Sequence, residues 1–172
     1  GRIRAVALAE KMNHDLLESE ARFRAMADSA PVLIWVAGVD QACTWFNQSW
    51  LAFTGRRMAQ EIGDGWLEGV HPDDYRQCRE VYRNAFARRA TFRMEYRLKR
   101  HDGKYCWLLD SGAPRFASSG EFTGYIGSCI DESENTAAHE ALHDSEQMLH
   151  EKMDEQRALL EARRHHHRQQ RD

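Results

Sequence analysis

The chain has 172 residues, 42% apolar and 30% charged, which is enough for one ordinary core and argues against wholesale disorder. Lys and Arg total 24 against 27 Asp and Glu, a net charge of -3 that gives no strong pull toward nucleic acid or an anionic membrane surface. No run approaches the roughly 20 apolar residues of a membrane span, and the charged, amphipathic start is unlike a signal peptide.

A first residue Gly1 in place of Met reads as a segment of a longer chain. The expected location is the cytoplasm, with any membrane anchor carried elsewhere in the parent. Cys43, Cys78, Cys106 and Cys129 are too far apart for a CxxC metal or redox motif and read as reduced thiols.

In chain order, residues 2–28 place Ile3, Leu8, Met12, Leu16, Phe23 and Met26 at helical spacings. This helix should end before Ser29-Ala30-Pro31, where the residue ahead of proline favours extended backbone. Val32–Val36 is a first strand, Val39-Asp40-Gln41 its turn and Thr44–Phe46 a second strand. Asn47 then caps a short helix over Gln48–Thr54 that stops at Gly55. A longer helix runs from Asp73 to Arg89, started by Pro72, with Tyr75, Cys78, Val81, Tyr82 and Phe86 at its inward spacing. Three strands follow at 92–98, 105–109 and 122–130, with glycine-containing turns at His101-Asp102-Gly103 and Ser118-Ser119-Gly120. Residues 132–172 contain no Gly or Pro and place Leu142, Leu149, Met153 and Leu160 on one stripe with a stutter, the pattern of a long helix and a coiled coil. The expected fold is α+β, a five-stranded antiparallel sheet with helices on one face, flanked by long N- and C-terminal helices. Its expected division is a helix over 1–29, a globular domain over 30–131 and a signalling helix over 132–172.

Several ordered motifs carry a resemblance. Asn47-Gln48-Ser49-Trp50 through Phe53-Thr54-Gly55 is followed by Trp66, then by Val70-His71-Pro72-Asp73-Asp74. Further on come Glu95-Tyr96-Arg97-Leu98, Asp102-Gly103, Trp107 and Gly124-Tyr125-Ile126-Gly127-Ser128, ending in Ile130-Asp131. Over about 23–134 this arrangement resembles the PAS sensory domain, in the bacterial subclass marked by a tryptophan and HPDD before the long helix. The family closes its last strand with Asp-Ile-Thr. Here Asp131, Glu132 and Ser133 hold those positions, with Glu132 in place of the apolar residue.

The resemblance implies a non-catalytic input module that dimerises through its terminal helices and passes a ligand or redox signal through Asp131 and Ser133 to the last helix. The tail is similar to linkers that precede the output helices of bacterial sensor histidine kinases. It implies a homodimer with a kinase output domain in the same chain, no nucleic acid and no direct membrane contact. The alternatives are a ligand-free PAS dimerisation module and the sensor domain of a diguanylate cyclase.

The residues that would line a ligand pocket are Trp35, Phe46, Trp50, Phe53, Trp66, His71, Tyr75, Met94, Tyr96, Trp107 and Ile126. The cofactor stays open, with none as the leading expectation, then non-covalent flavin, then haem. The aromatic residues suit stacking on a flavin ring, yet at strand and helix spacing they also read as ordinary core. The cysteine motif of flavin photochemistry is absent. Haem lacks a histidine on the long helix and has only Cys78 there, which reads as a small packed hydrophobe. Arg93, Arg97 and Arg115 would anchor an anionic ligand only by turning inward, and a solvated sheet face is their usual place.

His139-Glu140-Ala141-Leu142-His143 matches HExxH, the spacing that puts two zinc-binding imidazoles one helical turn apart. It lies outside the globular region without a third ligand or a cleft, and reads as an accident of a short pattern. His165-His166-His167 point in three directions on a helix and read as a solvated end.

Overall fold

The computed structural model describes residues 1–169, except for the side chains of 134–137, 139 and 167–169. The chain divides after Glu132 into two units. The first contains helix α1 (Arg2–Ser29), strands β1 (Leu33–Ala37) and β2 (Cys43–Phe46), helices α2 (Gln48–Thr54) and α3 (Met58–Glu61), a 3-10 turn at Gly65–Gly69, helix α4 (Pro72–Arg88), and strands β3 (Phe92–Lys99), β4 (Tyr105–Phe116) and β5 (Phe122–Asp131). The second is helix α5 (Ser133–Gln169).

The five strands form one antiparallel sheet in the order β2-β1-β5-β4-β3. Strand β3 alternates without a break: Phe92, Met94, Tyr96 and Leu98 are buried, while Arg93, Glu95 and Lys99 are exposed. Period-2 alternation puts the apolar set of each strand on one face. There it meets Trp50 of α2, Trp66 and Leu67 of the 3-10 turn, and Cys78, Tyr82, Ala85 and Phe86 of α4.

Two glycines make room for the largest rings on that face. Gly112 and Gly127 are partners across β4 and β5, and a Cβ at either would overlap the Phe92 ring or the Trp35 indole respectively. The indole of Trp35 instead lies against Phe92 at 6.0 Å, nearly parallel, and against Tyr82 edge-on at 5.9 Å.

Asn47 is the N-cap of α2, as its residue type predicts, and its role extends further. Its side-chain oxygen accepts from the backbone N–H groups of Trp50 (3.1 Å) and Ile34 (2.9 Å), and its amide donates to the carbonyls of Ala27 (2.8 Å) and Val32 (2.9 Å). A fully buried amide with its four bonds satisfied ties the end of α1 to β1 and α2. Asp28 adds a cap on the same helix by accepting from the backbone N–H of Gln48 at 2.8 Å.

Helix α1 ends at Ser29, followed by Ala30 in extended conformation ahead of Pro31. Strand β4 is longer than the expected 105–109 and continues to Phe116. It passes through Pro114 because β3 pairs with β4 only as far as Gly112; beyond it β4 is an edge on that side, where proline is tolerated. Along α1 and α5 the large apolar residues among those described stay exposed, Leu16 at 67% and Leu149 at 61% among them. No helix among the described residues is long and apolar enough to cross a membrane.

Candidate functional site

The inward positions of β4 are Cys106, Leu108, Asp110 and Gly112, so the strand's alternation delivers one carboxylate into the apolar interior. Asp110 is 2% exposed. Around it, Trp35, Cys43, Phe46, Trp50, Trp66, Tyr82, Met94 and Tyr96 complete the wall of a small internal cavity. Measured as the room available to the centre of a water molecule, the cavity is about 10 Å³. That is space for roughly one water.

The two oxygens of Asp110 have different donors. Trp35 Nε1–H donates to Oδ1 at 2.9 Å, and the Tyr96 hydroxyl donates to Oδ2 at 2.9 Å. The same hydroxyl lies 3.7 Å from the Cys129 sulfur. Burial raises the carboxyl from its ordinary 3.8 to about 6, against the opposing pull of donors at Trp35, Tyr96 and Cys129. Burial also pushes the Cys78 thiol up to about 12 and moves the Cys43 and Cys129 thiols and the Tyr82 and Tyr96 hydroxyls upward. Apart from Asp110, every titratable group lining the cavity is therefore neutral at physiological pH.

The neighbouring carboxylates are handled differently. Glu61, 1% exposed, accepts from Trp50 Nε1–H at 2.8 Å and is paired with the Arg56 guanidinium. Asp74 accepts from Arg97 three times at 2.9 Å, through its backbone N–H, Nε and Nη2, and these bonds hold its carboxyl below the ordinary value. Among the described residues, Asp110 has no such cation.

Of the eleven residues that the sequence offers as pocket candidates, the fold brings Trp35, Phe46, Trp50, Trp66, Met94 and Tyr96 to the cavity. Phe53 packs half-buried against the core elsewhere. His71 caps α4, its Nδ1 accepting from the Asp73 backbone N–H at 3.1 Å, with its ring edge-on to Tyr105. Tyr75 shares the helical phase of Cys78 and Tyr82 but lies in the first turn of α4, away from the cavity, and is 39% exposed. Trp107 lies on the outer sheet face beneath the Arg97 guanidinium at 4.9 Å. Ile126 also faces outward, because the alternation of β5 turns Tyr125, Gly127 and Cys129 inward. Arg93, Arg97 and Arg115 do not line the cavity.

Cys43, Tyr82 and Asp110 line it without having been candidates. The signal for Asp110 lay in the period-2 run from Cys106, hidden by ending the strand at Leu109. Asp131 ends β5 and Ser133 begins α5, while the backbone N–H of Glu132 between them donates to the Trp107 carbonyl at 2.8 Å.

Neither flavin nor haem fits this interior. At about 10 Å³ the cavity is far short of the roughly 300–1,000 Å³ of ligand pockets. The rings that would stack on a flavin fill the volume it needs. The His139 side chain of the HExxH pattern and that of His167 lie outside the described residues. Among the described residues, no group of three or more His, Cys, Asp and Glu side chains is placed to hold a metal ion.

A family model described as PAS fold matches residues 44–129. The chain is 46% identical over 140 residues to the uncharacterized protein y4lL of Sinorhizobium fredii, covering 81% of this chain and 17% of that protein. It is 26% identical over 136 residues to the peroxide stress-activated histidine kinase mak1 of Schizosaccharomyces pombe, covering 74% of this chain and 8% of that one. The chain thus spans less than a fifth of either curated relative. Among solved structures, an RNA-binding light-oxygen-voltage receptor superposes with a TM-score of 0.61 at 25% identity, covering 76% of this chain and 38% of that one. With its sheet order, its single helical layer and the matched 44–129 segment in agreement, the chain belongs to the PAS fold family of sensory domains.

Proposed function

We propose that the chain is the cytoplasmic input module of a sensor histidine kinase, without catalytic activity of its own, and that it works as a homodimer. The observation that carries the reading is α5, which follows β5 after the single residue Glu132 and keeps Leu142, Leu149, Met153 and Leu160 exposed along its length. An isolated helix gains little from such residues, whereas a paired one buries them. Helix α1 exposes Ile3, Leu8, Met12 and Leu16 in the same way. Kinship with a histidine kinase supports the choice of output.

In this reading Asp131 and Ser133 pass a change in the sheet to α5. A helix pair with two nearby packings needs only a few kcal/mol of differential stabilisation to switch. The one-water cavity favours a small input over a bulky resident cofactor. In the full-length parent, Asp131→Ala should abolish the dependence of autophosphorylation on its stimulus while leaving the folded domain intact by circular dichroism. Normal stimulus dependence in that variant rejects the route.

A further inference from the structure

Asp110 is a buried carboxylate at the wall of a cavity with space for roughly one water, and its partners come from three other strands. Trp35 reaches it from β1, Tyr96 from β3 and Cys129 from β5. The other titratable groups packed around it are Cys43 on β2 and Cys78 and Tyr82 on α4, all held neutral by burial. The carboxylates nearby are neutralised by their own cations, Glu61 by Arg56 and Asp74 by Arg97. Among the described residues, then, the charge of Asp110 is met only by neutral donors.

We infer that Asp110 is a proton-operated switch, whose gain or loss of one proton reverses its hydrogen bond to Tyr96 and alters the set of β5 just ahead of α5. The ionised carboxylate only accepts, so Trp35 and Tyr96 must both donate to it. A proton from solvent, added at Oδ2, makes that oxygen a donor. Tyr96 must then accept, and its own O–H is released to turn toward the Cys129 sulfur 3.7 Å away. Trp35 keeps its bond to Oδ1 in both states. The rearrangement therefore falls on β3 and β5, and Cys129 stands two residues before Asp131. The raised carboxyl, at about 6, places the transition within the range of cellular acidification.

The use of this switch as an input rests on the sensory reading above; the titration itself does not. The test follows the indole N–H resonance of Trp35 and the backbone amides of Cys129–Glu132 by NMR between about pH 5 and 8. The expected result is one shared midpoint near 6 in the wild-type chain, absent in Asp110→Asn, whose amide can still accept from Trp35 and donate to Tyr96. Tyr96→Phe removes a donor from the ionised form and should raise the midpoint, which keeps the test decisive if the Asn variant fails to fold. A Trp35 resonance that does not titrate, a transition that survives in Asp110→Asn, a midpoint unmoved in Tyr96→Phe, or β5 amides that stay still each overturn the inference. Failure of the Asp131→Ala experiment alone leaves the titration standing.

Discussion

At the start of α4, Asp74 accepts three hydrogen bonds from Arg97, whereas on β4 the donors to Asp110 among the described residues are the neutral groups of Trp35, Tyr96 and Cys129. Both carboxylates are buried, and the two surroundings move them in opposite directions, Asp74 down and Asp110 up. Beside a guanidinium the charged form is favoured. Among aromatic rings and thiols the cost of desolvation dominates, and the neutral donors of Trp35, Tyr96 and Cys129 do not offset it. A carboxylate held by a guanidinium is thus a structural clamp, and Asp110 among neutral donors is free to titrate.

Removing a clamp should have the largest effect. Arg56→Met leaves the buried Glu61 carboxylate without its cation, and unfolding in urea should show a loss of about 3 kcal/mol at neutral pH, the scale of a broken buried pair. A loss under about 1 kcal/mol would place Glu61 in the same class as Asp110 and dissolve the contrast.

The pH dependence of stability sharpens the comparison next. Asp110 holds its proton more tightly when folded, so stability should fall as pH rises from about 4 to about 6, by up to about 1.4 kcal/mol per unit, and then level off. Asp74 has the opposite sign: its contribution is present above the ordinary carboxyl value and is lost as the medium becomes more acid. Urea midpoints collected across this range should pass through a maximum near pH 4 in the wild-type chain. In Asp110→Asn the decline from about 4 to 6 should vanish while the acid limb remains.

A smaller effect comes from the glycine beneath Trp35. Gly127→Ala places a methyl group in the indole and should cost about 1–3 kcal/mol. It should also disturb the Trp35–Asp110 bond, read as a change in tryptophan fluorescence. A variant with unchanged fluorescence and stability would mean that the indole repacks freely.

Much of this was legible in the sequence. The strict alternation of Phe92, Met94, Tyr96 and Leu98 fixes which face of β3 is inside, and Asn47, Gly55 and Pro72 mark helix boundaries through hydrogen-bonding capacity and backbone restriction, which are local properties. Six of the eleven candidate pocket residues reach the cavity for the same reason, being large rings or apolar side chains on inward positions. Phe53, His71, Tyr75, Trp107 and Ile126 lie away from that cavity, which residue type alone does not reveal. His71 is a cap, Tyr75 lies in the first turn of α4, and the two sheet residues face outward.

The sequence by itself therefore determined the order of elements, the inner face of the sheet and the family, since each follows from periodicity and motifs within short stretches of chain. Only the tertiary structure decided that Asp110, rather than a cysteine or a histidine, is the chemically active group at the centre. A carboxyl's behaviour depends on which distant groups surround it once water is excluded. Trp35 lies 75 positions from Asp110 along the chain and Cys129 meets Tyr96 across 33, separations at which no local pattern carries information.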